Sequence, residues 1–271
     1  MLQNLHTHSV FCDGSDTPEE IVTAAISKRF DSLGFSSHAP TEIKDDCEMT
    51  DVAGYIKSIR GLKERFSKKI KLFLGIELDY YSEDTINLED FDYSISSAHY
   101  SILKNGVLVS YDHSAERTKK HINEDFLGDG LAYARSYFET LSKLEPKTDI
   151  SFVGHIDAVS KFSRKHPEFF DTGSPAYRSY AIDALRELSK KFDFFEINTG
   201  AIARGHRRTP YPAPFILEEM RKLGIKLVLT SDCHKKELLD FNFSEAREYA
   251  KAHGFFELYF LEDHGFVGEK I

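Results

Sequence analysis

Short apolar or β-branched segments alternate with amphipathic stretches along most of the chain. This alternation is typical of βα units around a parallel sheet, and it predicts a barrel. A further apolar segment, Phe255 to Phe260, is a candidate last strand at the edge of the sheet. The predicted barrel strands are Leu2 to Leu5, Ser32 to Phe35, Lys71 to Ile76, Tyr93 to Ser97, Ile150 to Val153, Phe194 to Ile197 and Lys226 to Leu229.

The amphipathic stretches predict helices between these strands. Thr17 can cap the first helix, and Pro18 suits its first turn. Gly224 predicts the end of a helix directly before the last barrel strand. The polar segment from Asn105 to Gly130 fits neither pattern, so we predict a long excursion with a helix near its end. The other predicted helices are Asp51 to Phe66, Ala132 to Leu144, Ser174 to Lys190 and Pro212 to Leu223.

Length and composition favour a single domain over residues 1–271, because 271 residues with 41% hydrophobic content can form one core. The net charge of -9 disfavours a general binder of nucleic-acid backbones. Three cysteines, Cys12, Cys47 and Cys233, are too few for a disulfide framework or a CxxC zinc site. No signal-peptide pattern precedes the HTHS motif and no apolar run approaches membrane-spanning length, so we expect a cytoplasmic protein without a membrane partner.

Metal-ligand residue types follow six of the seven predicted strands. In a barrel the carboxyl ends of parallel strands meet on one face, where active sites lie. A single histidine after a strand is more often a packing residue, but the joint pattern predicts a metal site. Two residues apart in an extended segment, His6 and His8 point the same way, as do Asp232 and His234. The full set is His6, His8, His38, Glu77, His99, His155, Asp232 and His234.

The other six histidines lack this placement and, except for His206, whose role stays open, are predicted to be surface or loop groups. They are His113, His121, His166, His206, His253 and His264.

The segments LHTHS, SSHAP, LGIELDY, SSAHY, VGHID and TSDCH occur in this order over nearly the full chain. Together they resemble the polymerase and histidinol phosphatase superfamily. FFEINTGAIARG and YPAPFILEEMRKLGIKLVLTSDCH narrow the resemblance to its histidinol-phosphate phosphatases. The resemblance implies a distorted (β/α)7 barrel that carries two or three divalent metals and hydrolyses L-histidinol phosphate in histidine biosynthesis.

The resemblance also implies how the ligands divide among the metals. The first metal would be held by His6, His8, Glu77 and Asp232. Glu77 would bridge to a second metal held by His99 and His155, and a third would use Asp13, His38 and His234. Asp13 could equally form a turn in Cys12-Asp13-Gly14. The acid that the family carries before the second-strand histidine is replaced by serine, since Ser36 and Ser37 precede His38.

Mixed imidazole and carboxylate ligands suit zinc, manganese or iron without choosing among them. Coordination lowers the pKa of water toward about 7, so a metal-bridging hydroxide could attack a phosphomonoester in line. Asp232 and His234 are candidates for the general acid that protonates the leaving oxygen, and Glu77 would bridge the metals.

A phosphate dianion also favours a guanidinium partner. Arg204 is the first candidate, Lys161 is as compatible with solvent exposure as with phosphate contact, and Arg208 is predicted to be solvated. The roles of His206 and Arg207 stay open, and Asn198 should point to the site or brace a strand end. The amine and imidazole of histidinol would favour acidic and aromatic neighbours, for which the candidates are Asp16, Glu42, Asp45, Asp46, Tyr80, Tyr81 and Tyr100.

Three alternatives stay open from the sequence. The chain could be a phosphoesterase of the same superfamily that acts on another small ester, a nucleotide or a nucleic-acid end. An amidohydrolase-type barrel also uses HxH after its first strand, but it often bridges its metals with a modified lysine where this chain has Ser97-Ala98-His99. A non-catalytic module would be expected to have a degenerate ligand set, whereas this set is complete.

Overall fold

Seven parallel strands form the centre of the computed structural model, which describes residues 1–43 and 47–271. The strands, numbered along the chain, are β1 (Gln3–Asn4), β2 (Ser32–Phe35), β3 (Lys71–Asp79), β4 (Tyr93–Ser97), β5 (Tyr100–Ile102), β6 (Leu108–Ser110), β7 (Ser151–Val153), β8 (Phe194–Asn198), β9 (Lys226–Thr230), β10 (Glu257–Glu262) and β11 (Gly265–Lys270). The order of the seven parallel strands in the sheet is β1-β2-β3-β4-β7-β8-β9.

The sheet curls into a nearly closed barrel. Thr7, just beyond β1, forms a parallel bridge with Cys233, just beyond β9. The amide of His8 donates to the carbonyl of Cys233 at 2.9 Å, and the amide of Cys233 donates to the carbonyl of His6 at 3.1 Å. The prediction of an α/β barrel of seven parallel strands is therefore confirmed.

The helices surround this barrel. Thr17 caps the first helix in a capping box with Glu20, as its position before Pro18 predicted. A helix over residues 243–252 was not predicted from the sequence, and no side chain caps its first turn. The helices are α1 (Pro18–Ser27), α2 (Val52–Phe66), α3 (Ala115–Glu124), α4 (Gly130–Leu141), α5 (Pro175–Leu188), α6 (Gly200–Ala203), α7 (Pro214–Lys222) and α8 (Phe243–Ala252), with 3-10 turns at Leu88–Asp90, Ala158–Ser160 and Lys236–Leu238.

The segment Phe255 to Phe260 is not an edge strand of the barrel. It contributes to β10, which pairs antiparallel with β11 in a separate hairpin. Gln3 holds the hairpin at the start of β1, because its side chain both donates to and accepts from the backbone of Leu261. Phe266 packs against the ring of Phe194 at the start of β8, with ring centroids 4.3 Å apart. The hairpin therefore covers the end of the barrel opposite the carboxyl ends of the strands.

Tyr93 fills the barrel interior between the two ends. Its buried hydroxyl donates to the carbonyls of Leu5 and Phe35. The ring lies so close to Gly75 that a Cβ there would meet Tyr93 Cζ at 2.2 Å, so only glycine fits at that position.

Across the described residues, no helix combines the length and the apolar character needed to cross a bilayer.

The excursion from Asn105 to Gly130 contains β6 and α3, in agreement with the predicted helix near its end. Strand β6 pairs antiparallel with β5. Tyr111, directly after β6, is buried and hydrogen bonds to Ser101 at 2.6 Å and to Ser136 at 2.7 Å. This packing fixes the course of the next two residues, Asp112 and His113, which line the cavity described below.

Candidate metal centre

The nine predicted metal ligands converge at the carboxyl ends of the barrel strands. Six of them are buried, whereas Asp13, His38 and His234 lie nearer to solvent at the mouth. His6 and His8 follow β1, and their ring centroids are 5.1 Å apart. The buried six are His6, His8, Glu77, His99, His155 and Asp232.

Glu77 lies at the centre of this group, with an imidazole nitrogen near each of its carboxylate oxygens. Its Oε1 also accepts a hydrogen bond from Ser97 Oγ at 2.8 Å. The neighbours of Oε2 are His38 Nδ1 at 3.0 Å, His6 Nε2 at 3.1 Å and His8 Nε2 at 3.5 Å. The neighbours of Oε1 are His155 Nε2 at 3.1 Å and His99 Nε2 at 3.5 Å.

Asp232 supplies a second carboxylate to the buried part of the site. Its Oδ1 lies 3.2 Å from His8 Nε2 and 3.7 Å from His6 Nε2. Its other oxygen, Oδ2, accepts a hydrogen bond from Arg204 Nη2 at 2.8 Å. The backbone of Asp232 is left-handed, with φ of 47°, a conformation that aspartate adopts more readily than most residues. The strained backbone directs the carboxylate between the two histidines and the arginine.

An outer group lies at the mouth of the site. Asp13 Oδ2 is 3.0 Å from His234 Nε2, and Asp13 Oδ1 is 3.5 Å from His8 Nδ1 and 3.9 Å from His38 Nε2. The rings of His8 and His234 are stacked with centroids 4.1 Å apart. Asp13 thus turns its carboxylate toward three imidazoles.

These residues fit a metal cluster. In each of four subsets, one ligand atom per residue lies within 4.8 Å of every other. The buried His8 Nε2 makes no hydrogen bond to any described residue, although Asp232 Oδ1 is 3.2 Å away. A buried acceptor without a donor is rare and indicates a missing partner. The subsets are His8, Asp13, His38 and His234; His6, His8 and Asp232; His6, Glu77 and His155; and His38, Glu77 and His99.

The two histidines of the HxH motif differ in electrostatic environment. Burial lowers the pKa of His6, but Glu77, Glu196 and Asp232 outweigh it and raise that pKa well above its usual range. Burial and the imidazoles of His234 and His38 lower the pKa of His8 to about 3. His8 is therefore neutral at physiological pH and has a lone pair available for a metal.

Two carboxylates that the sequence reasoning missed hold the rings of candidate ligands. Glu196 Oε1, fully buried, lies 2.6 Å from His6 Nδ1, and Glu196 Oε2 accepts the backbone N–H of His155 at 2.7 Å. Asp79 Oδ2 accepts the backbone N–H of His99 at 2.6 Å and is 3.3 Å from its Nδ1. The available signal was strand periodicity, since Asp79 lies two residues after Glu77 and shares its face of β3.

A cavity of about 360 Å³ opens above the candidate ligands. Arg204 and Lys161, the first two candidates for phosphate contact, both line it. Arg204 Nη1 is 3.2 Å from His234 Nδ1, so its guanidinium lies beside both Asp232 and the outer group. His113, predicted to be a surface or loop group, also lines the cavity, as does Tyr100.

The remaining predicted substrate residues do not line this cavity within residues 1–43 and 47–271. Arg207 is held in an ion pair with the buried Asp157 at 3.0 Å. His206 packs edge-on against the ring of Phe162, and its buried Nδ1 makes no hydrogen bond to a described residue. Asn198 braces the end of β8, because its Oδ1 accepts the backbone N–H of Gly200 at 2.8 Å.

Asp16 and Glu42, which were predicted to be acidic neighbours of the histidinol amine, do not line the cavity. Asp16 binds Lys236, with Oδ1 2.6 Å from Nζ and Oδ2 2.9 Å from the backbone nitrogen. Glu42 is exposed to solvent. Asp45 and Asp46 lie outside the described residues. Of the described acids beyond the candidate metal ligands, Glu48, Asp79 and Asp112 line the cavity.

The chain is similar to histidinol-phosphatases. It is 27% identical to the histidinol-phosphatase of Bacillus subtilis over 85% of this chain and 92% of that one. It is also 27% identical to the histidinol-phosphatase of Lactococcus lactis over 93% and 91% of the two chains.

The fold is similar to a crystal structure of the histidinol phosphate phosphatase of Lactococcus lactis in complex with zinc, L-histidinol and phosphate. The TM-score is 0.68 at 21% identity, and the match covers 98% of each chain. The sequence model of the PHP domain matches residues 4–200. The chain belongs to the PHP domain family.

Proposed function

We propose that this chain is a metal-dependent phosphomonoesterase that hydrolyses L-histidinol phosphate to L-histidinol and phosphate. The observation that carries the proposal is the buried group of imidazoles around Glu77, with Arg204 and Lys161 on the wall of the adjoining cavity. Metal ligands beside a guanidinium and an ammonium suit hydrolysis of a phosphate ester. The names of the two relatives, and the ligands of the Lactococcus lactis structure, support this substrate.

Two or three divalent metals would occupy the site. When bound, they supply Lewis acidity toward the phosphoryl oxygens and lower the pKa of a water nucleophile. The donor set of imidazoles and carboxylates suits zinc, manganese or iron, and the zinc of the Lactococcus lactis structure favours zinc. The first site would use His6, His8, Glu77 and Asp232, the second would share Glu77 and use His99 and His155, and a third would use Asp13, His38 and His234.

The side chains of this chain would orient the ester and handle its protons. Arg204 and Lys161 would bind the phosphate oxygens. Their fixed positive charges would replace part of the water that hydrates the phosphate. Burial alone would raise the pKa of Asp232, but Arg204 and His6 lower it well below its usual range. Asp232 therefore stays ionised and cannot donate a proton. In a site with two metals, His234 is the better candidate to protonate the departing alkoxide.

A steady-state comparison of substrates tests the proposed function. We expect kcat/KM for L-histidinol phosphate to exceed those for p-nitrophenyl phosphate and a nucleoside monophosphate by about 100-fold or more, since a site built to bind the polar groups of its substrate discriminates strongly. All three substrates are measured on one metal-loaded preparation. Equal rates would reject histidinol phosphate as the substrate, and a preference for the nucleotide would favour a nucleotide phosphoesterase of the same family.

The contacts of Glu196 predict a role in metal binding. Replacing Glu196 with glutamine keeps the shape of the side chain but weakens its charge-assisted hydrogen bond to His6 Nδ1. We expect metal affinity to fall about 10- to 100-fold, as is usual when a carboxylate behind a metal-binding histidine is lost. Competition with a chromophoric chelator measures this affinity, and Glu187→Gln on the exposed face of α5 is the matched control. Unchanged affinity in the Glu196 variant would exclude this role.

A further inference from the structure

Asp112 and Lys161 form an ion pair on the wall of the cavity. Lys161 Nζ donates to the backbone carbonyl of Asp112 at 2.6 Å, whereas its distance to Asp112 Oδ2 is 3.4 Å. The side chain of Asp112 is 26% exposed and that of Lys161 is 13% exposed, so both charges are partly withdrawn from water. The main bond of the lysine is therefore to the backbone, and the carboxylate is held less tightly.

Asp112 differs from the other acids that line the cavity. The carboxylate of Asp79 accepts a hydrogen bond from the backbone N–H of His99, and that of Glu48 accepts one from the backbone N–H of Thr41 at 3.0 Å. Among residues 1–43 and 47–271, the remaining acids of the cavity are the candidate metal ligands Asp13, Glu77 and Asp232. Lys161 is the one cationic side chain within ion-pair distance of the Asp112 carboxylate in the part of the chain that the structure describes. Asp112 is therefore the acid best placed to meet a cationic group on a bound ligand.

We infer that Asp112 selects phosphate esters that carry a cationic amine, by exchanging ion-pair partners with Lys161. This inference rests on the proposed function, in which Lys161 contacts the phosphate. An aminoalkyl phosphate brings one anionic and one cationic end into the cavity. Its phosphate takes Lys161, and its ammonium takes the carboxylate that Lys161 releases. Every charge then keeps a partner.

A neutral phosphate ester cannot complete this exchange. Its phosphate would draw Lys161 away and leave the Asp112 carboxylate without a counter-charge in a partly desolvated position. An unpaired charge in such a place is costly, so the pair disfavours the wrong substrate as well as favouring the right one. L-histidinol phosphate belongs to the favoured class because its amine is cationic at neutral pH.

The ratio of two specificity constants tests the inference. We compare kcat/KM for L-histidinol phosphate with kcat/KM for its desamino analogue, imidazolylpropyl phosphate, on one preparation of Asp112→Asn. We expect this ratio to fall about 10- to 100-fold from the wild-type value, the usual effect of losing a hydrogen bond to a charged group. The constant for the desamino analogue should stay level or rise. Because both are measured on the same protein, the fraction of folded enzyme cancels.

Further variants complete the design. Glu187→Gln changes an exposed acid on α5, outside the cavity, and should leave the ratio within about twofold, the range of a neutral surface change. Asp112→Glu keeps the charge and should retain most of the selectivity. If the asparagine substitution prevents folding, Asp112→Ser removes the carboxylate instead, and the ratio should fall as expected for Asp112→Asn. An equal loss for both esters would show that Asp112 acts only through Lys161, and an unchanged ratio would show that it has no role. Either result overturns the inference.

If the proposed function is wrong, the wild-type enzyme will prefer a phosphomonoester other than L-histidinol phosphate. The same ratio can in that case be measured with phosphoethanolamine and ethyl phosphate, which differ in the amine. A fall of that ratio in Asp112→Asn supports the selection of amines without histidinol phosphate, and a constant ratio rejects it.

Discussion

Replacing Glu77 with glutamine is expected to lower kcat/KM for L-histidinol phosphate by about 1000-fold or more, because metal catalysis contributes several kcal/mol and each 1.36 kcal/mol is tenfold. Five imidazoles lie within 3.5 Å of the Glu77 carboxylate. The amide of glutamine carries no charge and presents one oxygen instead of two, so it cannot join two metals. We therefore expect the variant to lose at least one metal as well as activity.

Metal analysis separates this effect from misfolding. Elemental analysis of the wild-type protein should give more than one equivalent of transition metal, and Glu77→Gln should give fewer at an unchanged far-ultraviolet circular dichroism spectrum. Asp84→Asn, in the exposed loop after β3, is the control and should keep both metal and activity. Fully active wild-type protein with at most one equivalent of metal would rule out the cluster.

The barrel could be predicted from the sequence because its strands are buried on both faces and appear as short apolar runs. The prediction was wrong at Phe255 to Phe260, where the pattern of a strand is present but its partner is β11 rather than the barrel. Apolar pattern shows that a segment is extended, and it does not show which strand it pairs with. The bridge between Thr7 and Cys233 joins the chain just beyond β1 to the chain just beyond β9, so the sheet nearly closes without an eighth strand.

The convergence of the candidate ligands was likewise predictable, since residues at the carboxyl ends of parallel strands meet on one face. One expectation about side-chain direction was wrong. Asp232 and His234 were expected to share a face of an extended segment, but the backbone of Asp232 is left-handed. Its Oδ1 still lies 3.6 Å from His234 Nδ1, because the turn and not the strand brings them together.

Roles that depend on a distant partner could not be predicted. Arg207 belongs to a basic loop in the sequence, but the buried Asp157, fifty residues earlier, withdraws it from the cavity. Asp112 lies in a segment without a clear pattern, and only the β5–β6 hairpin brings it to the cavity wall.

Replacing Arg204 with methionine is expected to lower kcat/KM by about 100- to 1000-fold, the usual loss when one donor to a developing oxyanion is removed. Arg204 lines the cavity, and its guanidinium is fixed by bonds to the carboxylate and the backbone carbonyl of Asp232. Methionine keeps the length of the side chain and removes its charge and donors. Arg208→Met is the control, because Arg208 is exposed and does not line the cavity among the described residues, so its variant should keep activity within about twofold.

Arg204 could affect catalysis in two ways, and metal content distinguishes them. If Arg204 contacts the phosphate, the methionine variant keeps its metals and is inhibited less by inorganic phosphate. If Arg204 only orients Asp232, the methionine variant loses metal. Its affinity for phosphate then falls only in proportion to the metal that is lost. We expect the first result, because Arg204 Nη2 bonds to Asp232 Oδ2 whereas the histidines of the first metal group face Oδ1. In the proposed site, Oδ1 of Asp232 would bind metal, and Oδ2 would hold the guanidinium that is expected to contact the phosphate.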